Sequence, residues 1–269
     1  MIVIPMVGRS RRFFEAGYSQ PKYRLPLHGH SVFALSVGSF AQVARHEDLL
    51  IVCLEEDHAA DFARQELEKM GIRRGHVVEL PRMTAGQADT VSQGLTAIGA
   101  ADQEPIVIFN IDTFRPEFQY PKAFSTGAVD GYLECFIGSG ANWSNVVPTV
   151  PESNRVIRTS EKKQESEYCC TGLYHFSHAA DFERAYQLEL KSHAKGAGQA
   201  NELYVAPIYN HLIAQGADIR MHLIPTEQVI FCGIPIEYEE LLNKPPKILS
   251  EHISLLDIFQ RKKGDEILF

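Results

Sequence analysis

The first 112 residues alternate short apolar runs with amphipathic segments. The apolar runs lie at residues 1–7, 49–54, 76–80 and 105–109, and each has the length of one buried strand. Segments with helical spacing, at residues 31–44, 57–70 and 87–98, separate these runs. Strands that alternate with helices are typical of a parallel sheet covered by helices on both faces.

The second half of the chain has a different pattern. Strands without long helices between them are predicted at residues 129–137, 145–150, 155–159 and 168–176. Helices at 178–192 and 202–215, a loop at 195–199, strands at 220–224 and 229–232 and a short final helix at 254–260 are predicted to follow. The whole pattern predicts an α/β fold, with a mixed, mostly parallel sheet flanked by helices and a β-rich lobe.

Composition and charge narrow the function classes. The chain has 269 residues and a formal net charge of −8, which argues against a non-specific nucleic-acid binder or an anionic-membrane binder. It contains no apolar stretch of membrane-spanning length and no visible secretory signal. Its five scattered cysteines are expected to be reduced and buried, so a cytoplasmic protein is predicted.

Positive charge is concentrated just after the first apolar run. Arg9, Arg11 and Arg12 surround Ser10, and a Pro-Lys pair ends at Lys22. A strand that ends in glycine and fixed cations can hold an anion, since backbone N–H groups approach closely there and the cations neutralise phosphates. The alternative interpretation is a buried strand followed by a solvated basic loop.

A carboxylate follows the fourth predicted strand, in the segment Asn110-Ile111-Asp112. In open α/β sheets, ligands bind beyond the carboxyl ends of the strands. The basic loop and Asp112 both follow strand ends, so they are expected to converge on one site.

Common catalytic motifs are absent. The chain lacks Gly-x-x-x-x-Gly-Lys-Ser/Thr, Gly-x-Gly-x-x-Gly and His-Glu-x-x-His, which weakens the P-loop, NAD-binding and zinc-hydrolase interpretations. His28 and His30 are interpreted as loop residues rather than metal ligands.

The ordered motifs resemble the sugar-phosphate nucleotidyltransferases, which have a Rossmann-like fold related to that of GT-A enzymes. That family opens with Gly-x-Gly-x-Arg-Phe/Leu and a later Pro-Lys; here the segments are Gly8–Phe13, with Ser10 at the second glycine, and Pro21-Lys22. The resemblance continues through segments 84–90, 110–112, 161–162, 171–174, 201–204 and 233–235. It covers residues 1 to about 235.

The resemblance implies that an NTP and a phosphorylated small-molecule acceptor are joined, with release of pyrophosphate, in nucleotide-sugar and polysaccharide biosynthesis. Arg12, Lys22 and Asp112 would be catalytic, and Asp112 would hold Mg²⁺, an ion that prefers oxygen ligands. The implied nucleotide-binding residues are Gly8, Arg9, Ser10, Arg11, Thr84, Gly86, Gln87 and Asn110. No protein nucleophile is needed, because the acceptor phosphate is already ionised.

For the acceptor, the resemblance implies contacts from Glu161, Lys162, Gly172, Asn201 and Glu202. Other interpretations stay open for two of these segments. Glu161 and Lys162 belong to a charge run that could be a solvated face, and Asn201-Glu202 could cap the predicted helix.

Two departures from the family pattern affect the site. Ser10 adds a Cβ where the backbone must approach phosphate, and no acid stands just before Gly233. A second metal carboxylate would then be Glu227 or Glu237, or would be absent.

The expected organisation is one nucleotidyltransferase domain, residues 1–245, and a helical tail, residues 246–269. The domain would consist of a nucleotide-binding half, 1–112, and an acceptor-binding half, 113–245. Two other functions remain open: a GT-A-type glycosyltransferase that uses a nucleotide-sugar, and a non-catalytic nucleotide-binding protein. The sequence identifies neither the base nor the acceptor, and it leaves a homo-oligomer open.

Overall fold

The computed structural model describes residues 1–124, 129–194 and 202–265, with the side chains of the last helix described as far as Asp257. Its strands are β1 (Ile2–Met6), β2 (Pro26–Leu27), β3 (His30–Ser31), β4 (Leu49–Leu54), β5 (Gly75–Leu80), β6 (Ile106–Phe109), β7 (Thr113–Phe114), β8 (Gly131–Ile137), β9 (Ser144–Pro148), β10 (Val156–Glu161), β11 (Tyr168–Phe176), β12 (Ile219–Leu223) and β13 (Ile230–Phe231). Its α-helices are α1 (Arg11–Glu15), α2 (Val32–Gly38), α3 (Ala60–Lys69), α4 (Gln87–Ile98), α5 (Ala179–Ala194), α6 (Tyr209–Ala214), α7 (Pro235–Asn243) and α8 (Lys247–Asp265).

One large sheet organises the described residues. Strands β5, β4, β1 and β6 lie side by side in that order and are parallel, while β11 joins β6 antiparallel. Beyond β11, the sheet continues through β9 to β10 and, separately, through β8 to β12. Because β1 is parallel to β6 in register, with Val3 opposite Ile108, the loops that follow these two strands leave the sheet next to each other.

Alternating side chains of the parallel strands feed two separate cores. On β1, Ile2, Ile4 and Met6 face the core that includes residues of α2, α3, α7 and α8, whereas Val3 faces the core that includes residues of α4, α5 and α6. Strands that bury both faces are apolar throughout, which is the pattern seen in β4, where all six residues are buried. The predicted fold class, an α/β fold with a mixed sheet flanked by helices and a β-rich second half, is confirmed.

The strongest sequence patterns located their elements well. Strands β4 and β11 and helix α4 span the predicted residues, and the Ser31 side chain caps α2 by accepting the Ala34 N–H at 3.0 Å. Gly71 follows α3 with φ +71°, the left-handed conformation that ends many helices. All five cysteines are free and buried, as expected.

Several predicted helix limits were wrong. Helix α2 ends at Gly38 rather than continuing to 44. Gly38 leaves room for Leu256 of α8, since a Cβ at this position would clash with that side chain. Helix α3 begins at Ala60, after a short 3-10 turn at Glu55–Asp57. In place of the predicted helix 202–215, the structure has a 3-10 turn at Ala206–Ile208 followed by α6. Pro207 lacks a backbone N–H, so it fits the first turn of a helix but not its interior. The loop predicted at 195–199 lies outside the described residues.

The end of the chain packs against its beginning. Helix α8 starts directly after Pro246, much earlier than the predicted 254, and buries Leu249 and Leu256 in the first core. Its His252 ring hydrogen-bonds the Leu35 carbonyl of α2 at 2.8 Å. Two α-helices, α1 and α7, and three two-residue strands, β2, β3 and β7, were not predicted. Within the part of the chain described, none of the helices combines the length and apolarity needed to cross a membrane.

Candidate active site

A cavity of about 620 Å³ opens beyond the carboxyl ends of β1 and β6. This size is typical of small-molecule sites. Among the residues proposed from the sequence, those that line it are Ser10, Arg11, Arg12, Lys22, Gln87, Asn110, Asp112, Glu161, Lys162, Gly172 and Glu237. The structure therefore brings together residues from both halves of the chain, up to 227 positions apart.

Ser10 is the turning point of the opening loop. It has φ +49° and ψ +30°, the left-handed conformation that a glycine adopts without strain. The Ser10 carbonyl accepts the Phe13 N–H at 2.9 Å, and its Oγ accepts the Lys22 backbone N–H at 3.0 Å. The hydroxyl thus ties the loop to the Pro-Lys segment, an interaction that a glycine could not make.

Lys22 and Asp112 form an ion pair in the cavity. Lys22 Nζ lies 2.5 Å from Asp112 Oδ2, and the two side chains are 19% and 20% exposed. Their convergence follows from the parallel pairing of β1 and β6, which places the loops after both strands at one edge. A partly buried pair of this kind is screened less by salt than a surface pair.

The three arginines of the opening loop have different surroundings. Arg9 pairs with Glu56 at 2.8 Å, and Arg11 pairs with Glu15 at 2.6 Å. Arg12 also lines the cavity, but it makes no ion pair with any residue that the structure describes. Arg12 is therefore the guanidinium of this loop that is most available to an anion.

Gly8 and Arg9 are not brought into the main cavity. Both line a neighbouring hollow of about 720 Å³ on the other side of the loop, where Arg11 contributes to both spaces. This placement differs from the expectation that residues 8–12 together wrap one set of phosphates.

The segment 84–90, which carries the predicted nucleotide-binding residues Thr84, Gly86 and Gln87, is fixed by backbone contacts to the second half of the chain. Leu203 N–H donates to the Ala85 carbonyl, and Ala88 N–H donates to the Leu203 carbonyl, both at 2.9 Å. Gly86 has φ +146°, and a Cβ there would lie 2.5 Å from Leu203 N. The Thr84 hydroxyl bonds that of Thr90 at 2.7 Å. Neither Thr84 nor Gly86 lines the cavity. Their contacts, with Thr90 and Leu203, instead fix the conformation of segment 84–90.

Gln87, Asn110 and Gly172 form a connected group in the cavity wall. Gln87 Nε2 donates to Asn110 Oδ1 at 2.6 Å. Gly172 has φ +96°, and a Cβ there would lie 2.4 Å from Asn110 Nδ2. Position 172 therefore requires a glycine to leave room for the Asn110 side chain, whether or not a ligand also approaches it.

Glu161 and Ser144 face each other at the far end of the cavity. They are cross-strand partners of β10 and β9, and the Ser144 hydroxyl donates to Glu161 Oε2. Burial raises the pKa of the Glu161 carboxyl; Ser144 and Lys162 act in the opposite direction, and Glu202 adds to the rise. Glu161 is 9% exposed, so it does not belong to a solvated face.

Lys162 and Tyr204 close this end of the cavity. The Lys162 ammonium lies 4.4 Å from the centre of the Tyr204 ring and donates to its hydroxyl. Burial, followed by contacts with Glu202, raises the pKa of Tyr204. Glu202 is exposed and does not line the cavity, and it precedes a non-helical segment, so it caps no helix. Asn201 lies outside the described residues.

Glu237 is the one of the two candidate second metal carboxylates that reaches the cavity. It lines the cavity, whereas Glu227 does not. Glu237 Oε2 accepts the Gly233 and Ile234 N–H groups at 2.8 and 3.2 Å and so caps the start of α7. Burial raises the pKa of Glu237, opposed by these backbone donors, and Asp112 raises it further.

Sequence reasoning missed the aromatic wall of the cavity. Trp143 and Phe231 line it with their ring centres 4.5 Å apart, and Asn142 and Ser144 flank the tryptophan. The available signal was the only tryptophan of the chain, placed just after the turn at Gly138–Gly140.

The solved structures that resemble this chain include three that are named for nucleotide-transfer activities. A nucleoside-diphosphate-sugar pyrophosphorylase from Vibrio cholerae RC9 is 43% identical, with 91% of this chain and 100% of that chain covered and a TM-score of 0.85. An inositol-1-phosphate CTP transferase from T. maritima is 15% identical over 93% of this chain and 95% of that chain, with a TM-score of 0.69. A putative glucose-1-phosphate thymidylyltransferase from Bacillus anthracis is 14% identical over 93% of this chain and 98% of that chain, also with a TM-score of 0.69.

The last two likenesses show the fold alone. No family model and no curated protein sequence matches the chain. The fold and its relatives define an enzyme of the nucleotidyltransferase class. At 43% identity over the full length of the Vibrio protein, the chain belongs to the sugar-phosphate nucleotidyltransferase family.

Proposed function

We propose that this enzyme joins an NTP to a sugar-1-phosphate or a related phosphorylated acceptor and releases pyrophosphate. The observation that carries the proposal is the Lys22–Asp112 pair, which shares one cavity with Glu161 and with Arg12, a residue that makes no ion pair in the described part of the chain. Two anionic substrates repel each other, so cations and a metal-binding carboxylate must hold them together.

The residues present fit a magnesium ion that arrives with the nucleotide. Mg²⁺ is usually bound by one or two carboxylates together with substrate phosphates and water. Asp112 can supply one such carboxylate, and Gly233 keeps the space beside it open, since a Cβ there would lie 3.0 Å from Asp112 Oδ2. The described residues contain no group of three or more acidic, histidine or cysteine side chains that could hold the ion without substrate.

Asp112 would therefore hold Mg²⁺, which supplies charge neutralisation at the phosphate oxygens. In the described state Lys22 neutralises Asp112. When the nucleotide binds, the Lys22 ammonium moves to the phosphates and offsets the charge of the departing pyrophosphate. Arg12 binds the triphosphate, because its guanidinium lines the cavity and makes no ion pair among the described residues.

The acceptor lies between this charged end and Glu161. Its phosphate oxygen attacks the α-phosphorus in line, so positioning supplies most of the rate enhancement. Lys162 leaves Tyr204 for the acceptor phosphate, and the second Glu161 oxygen receives a hydrogen bond from an acceptor hydroxyl or amine. The division into a nucleotide half, 1–112, an acceptor half, 113–245, and a tail, 246–269, remains part of this proposal, as does a role in polysaccharide biosynthesis.

The test is a substrate matrix. The purified protein is incubated with each NTP, Mg²⁺ and a panel of sugar-1-phosphates and other phosphorylated acceptors, and pyrophosphate and the coupled product are measured. We expect release with at least one pair, dependent on both substrates. Turnover of a finished nucleotide-sugar without pyrophosphate release would instead identify a glycosyltransferase, and binding without turnover a non-catalytic protein.

A further inference from the structure

Trp143 and Phe231, the aromatic wall of the cavity, have no role in the proposed phosphate chemistry. Trp143 stands directly before β9, and its carbonyl accepts the Lys162 N–H at 3.2 Å. Its ring packs on Phe231 at 4.5 Å and on Phe136 at 5.1 Å between ring centres. Backbone and ring contacts therefore fix the indole before any ligand arrives.

The wall and the buried carboxylate are joined through neighbouring residues. Ser144 follows Trp143 and locks one oxygen of Glu161, whereas Glu161 Oε1 has no hydrogen-bond partner among the described residues. Trp143 and Glu161 line the same cavity. A ligand at this end meets apolar aromatic side chains and a fixed hydrogen-bond acceptor.

We propose that Trp143 determines acceptor specificity by packing against the carbon face of a cyclic sugar phosphate, whose hydroxyl donates to Glu161. A pyranose ring presents C–H groups on its faces and hydroxyls at its rim, which matches this combination of surfaces. An open-chain polyol phosphate has no such face. The inference rests on the proposed function, because the sugar must lie at this end while its phosphate, held by Lys162, reaches the α-phosphorus of the NTP.

The aromatic rings could also attract a cationic acceptor, but the structure favours the sugar. The cation-binding face at this end, the ring of Tyr204, already carries the Lys162 ammonium at 4.4 Å. The acceptor phosphate must draw Lys162 away before a second cation could use that ring.

Binding can be measured without turnover, because Trp143 is the only tryptophan in the chain. The protein is titrated with the 1-phosphates of glucose, galactose, mannose and N-acetylglucosamine, with and without each NTP and Mg²⁺ at 4 °C. Glycerol 3-phosphate, phosphocholine and inorganic phosphate are the comparison ligands. We expect a saturable change in indole emission with at least one ring sugar and none with the comparison ligands.

The kinetic arm uses Trp143→Ala, Trp143→Phe and the matched control Ile157→Ala, which removes an exposed apolar side chain from β10. Loss of the stacking surface is expected to raise the acceptor KM roughly tenfold with the NTP KM unchanged. Trp143→Phe should stay within about threefold of the parent, and Ile157→Ala should match it.

The inference would be overturned by saturable sugar binding without an emission change, by an unchanged acceptor KM in Trp143→Ala, or by a response to phosphocholine in place of the sugars. Absence of an emission response to every sugar would also overturn it. If pyrophosphate release persists in these cases, the proposed function stands while the role of Trp143 falls. An emission response without pyrophosphate release would support sugar binding at Trp143 but contradict the proposed function.

Discussion

The two ends of the cavity are built on different principles. At the phosphate end, Lys22 and Asp112 come from loops after parallel strands and neutralise each other at 2.5 Å. At the acceptor end, Glu161 belongs to an antiparallel strand pair, is buried beside a hydroxyl and has a raised pKa. Opposite charges at the first end suit phosphate chemistry, whereas the second end suits recognition. Substitutions at the two ends should therefore fail in different ways.

The largest effect is expected from Asp112→Asn. Removal of the carboxylate takes away the proposed metal ligand and leaves the Lys22 ammonium unpaired, so turnover should fall by about 10³-fold or more. Pyrophosphate release under saturating substrates measures this effect. Asp61→Asn is the matched control, because Asp61 pairs with Arg64 on the surface and its side chain is 88% exposed. Turnover within tenfold of the parent would remove Asp112 from the proposed site.

A second comparison separates the arginines of one loop. Arg12→Ala should lower kcat/KM for the NTP by about 100-fold, since its charge faces the cavity without an ion-pair partner among the described residues. Arg9→Ala should change it by less than about threefold, because Arg9 pairs with Glu56 outside the main cavity. Equal losses in the two variants would show that both guanidinium groups reach the nucleotide.

Gly172→Ala tests whether the cavity wall requires the close approach of Gly172 to Asn110. The substitution places a Cβ 2.4 Å from Asn110 Nδ2 at φ +96°, so it should lower the free energy of unfolding by about 2–4 kcal/mol. Gly140→Ala shares the positive φ, +109°, but has open space around it, and should cost about 1 kcal/mol. Chemical denaturation of both variants gives the difference. Equal costs would mean that Asn110 shifts aside freely.

The acceptor end should respond more mildly. Glu161→Gln weakens one hydrogen bond to the acceptor, so the acceptor KM should rise about tenfold while the NTP KM stays constant. Steady-state kinetics with each substrate varied in turn distinguishes the two constants. A rise in the NTP KM alone would place Glu161 at the wrong end of the cavity.

The raised pKa of Glu161 gives this variant a second, pH-dependent signature. A carboxyl whose pKa is higher in the folded than in the unfolded protein binds its proton more tightly when folded. Its contribution to stability is present below the unfolded pKa and is lost as the pH rises through the folded pKa. Glu161→Gln should therefore raise Tm at neutral pH and lose this advantage in acid. A Tm difference independent of pH would contradict the burial of a charged Glu161.

The sequence predicted the phosphate end better than the acceptor end, for a physical reason. Parallel strands are buried on both faces, so β1, β4 and β6 are continuous apolar runs and Lys22 and Asp112 follow their ends. The partnering of Arg9 with Glu56 depends on a tertiary contact that no local pattern encodes. The same holds for Gly86 and Gly172, whose conformations serve contacts with Leu203 and Asn110.

At the acceptor end, antiparallel pairing brings together residues that are distant and individually unremarkable in the sequence. Ser144 meets Glu161 through the register of β9 and β10, and Trp143 meets Phe231 through packing alone. Helix α7 was missed because Pro235 stands at its first position, where a proline also suits a turn. The capping role of Glu237 in this helix was therefore not predicted from the sequence.

The central claim, that an acceptor phosphate attacks the α-phosphorus of an NTP, is tested most directly by isotope transfer. The acceptor that supports turnover is prepared with ¹⁸O in the non-bridging oxygens of its phosphate, and both products are analysed by mass spectrometry. If the acceptor phosphate is the nucleophile, all of the ¹⁸O will be found in the nucleotide-coupled product and none in the pyrophosphate. Label in the pyrophosphate, or loss of the acceptor phosphate from the coupled product, would contradict it.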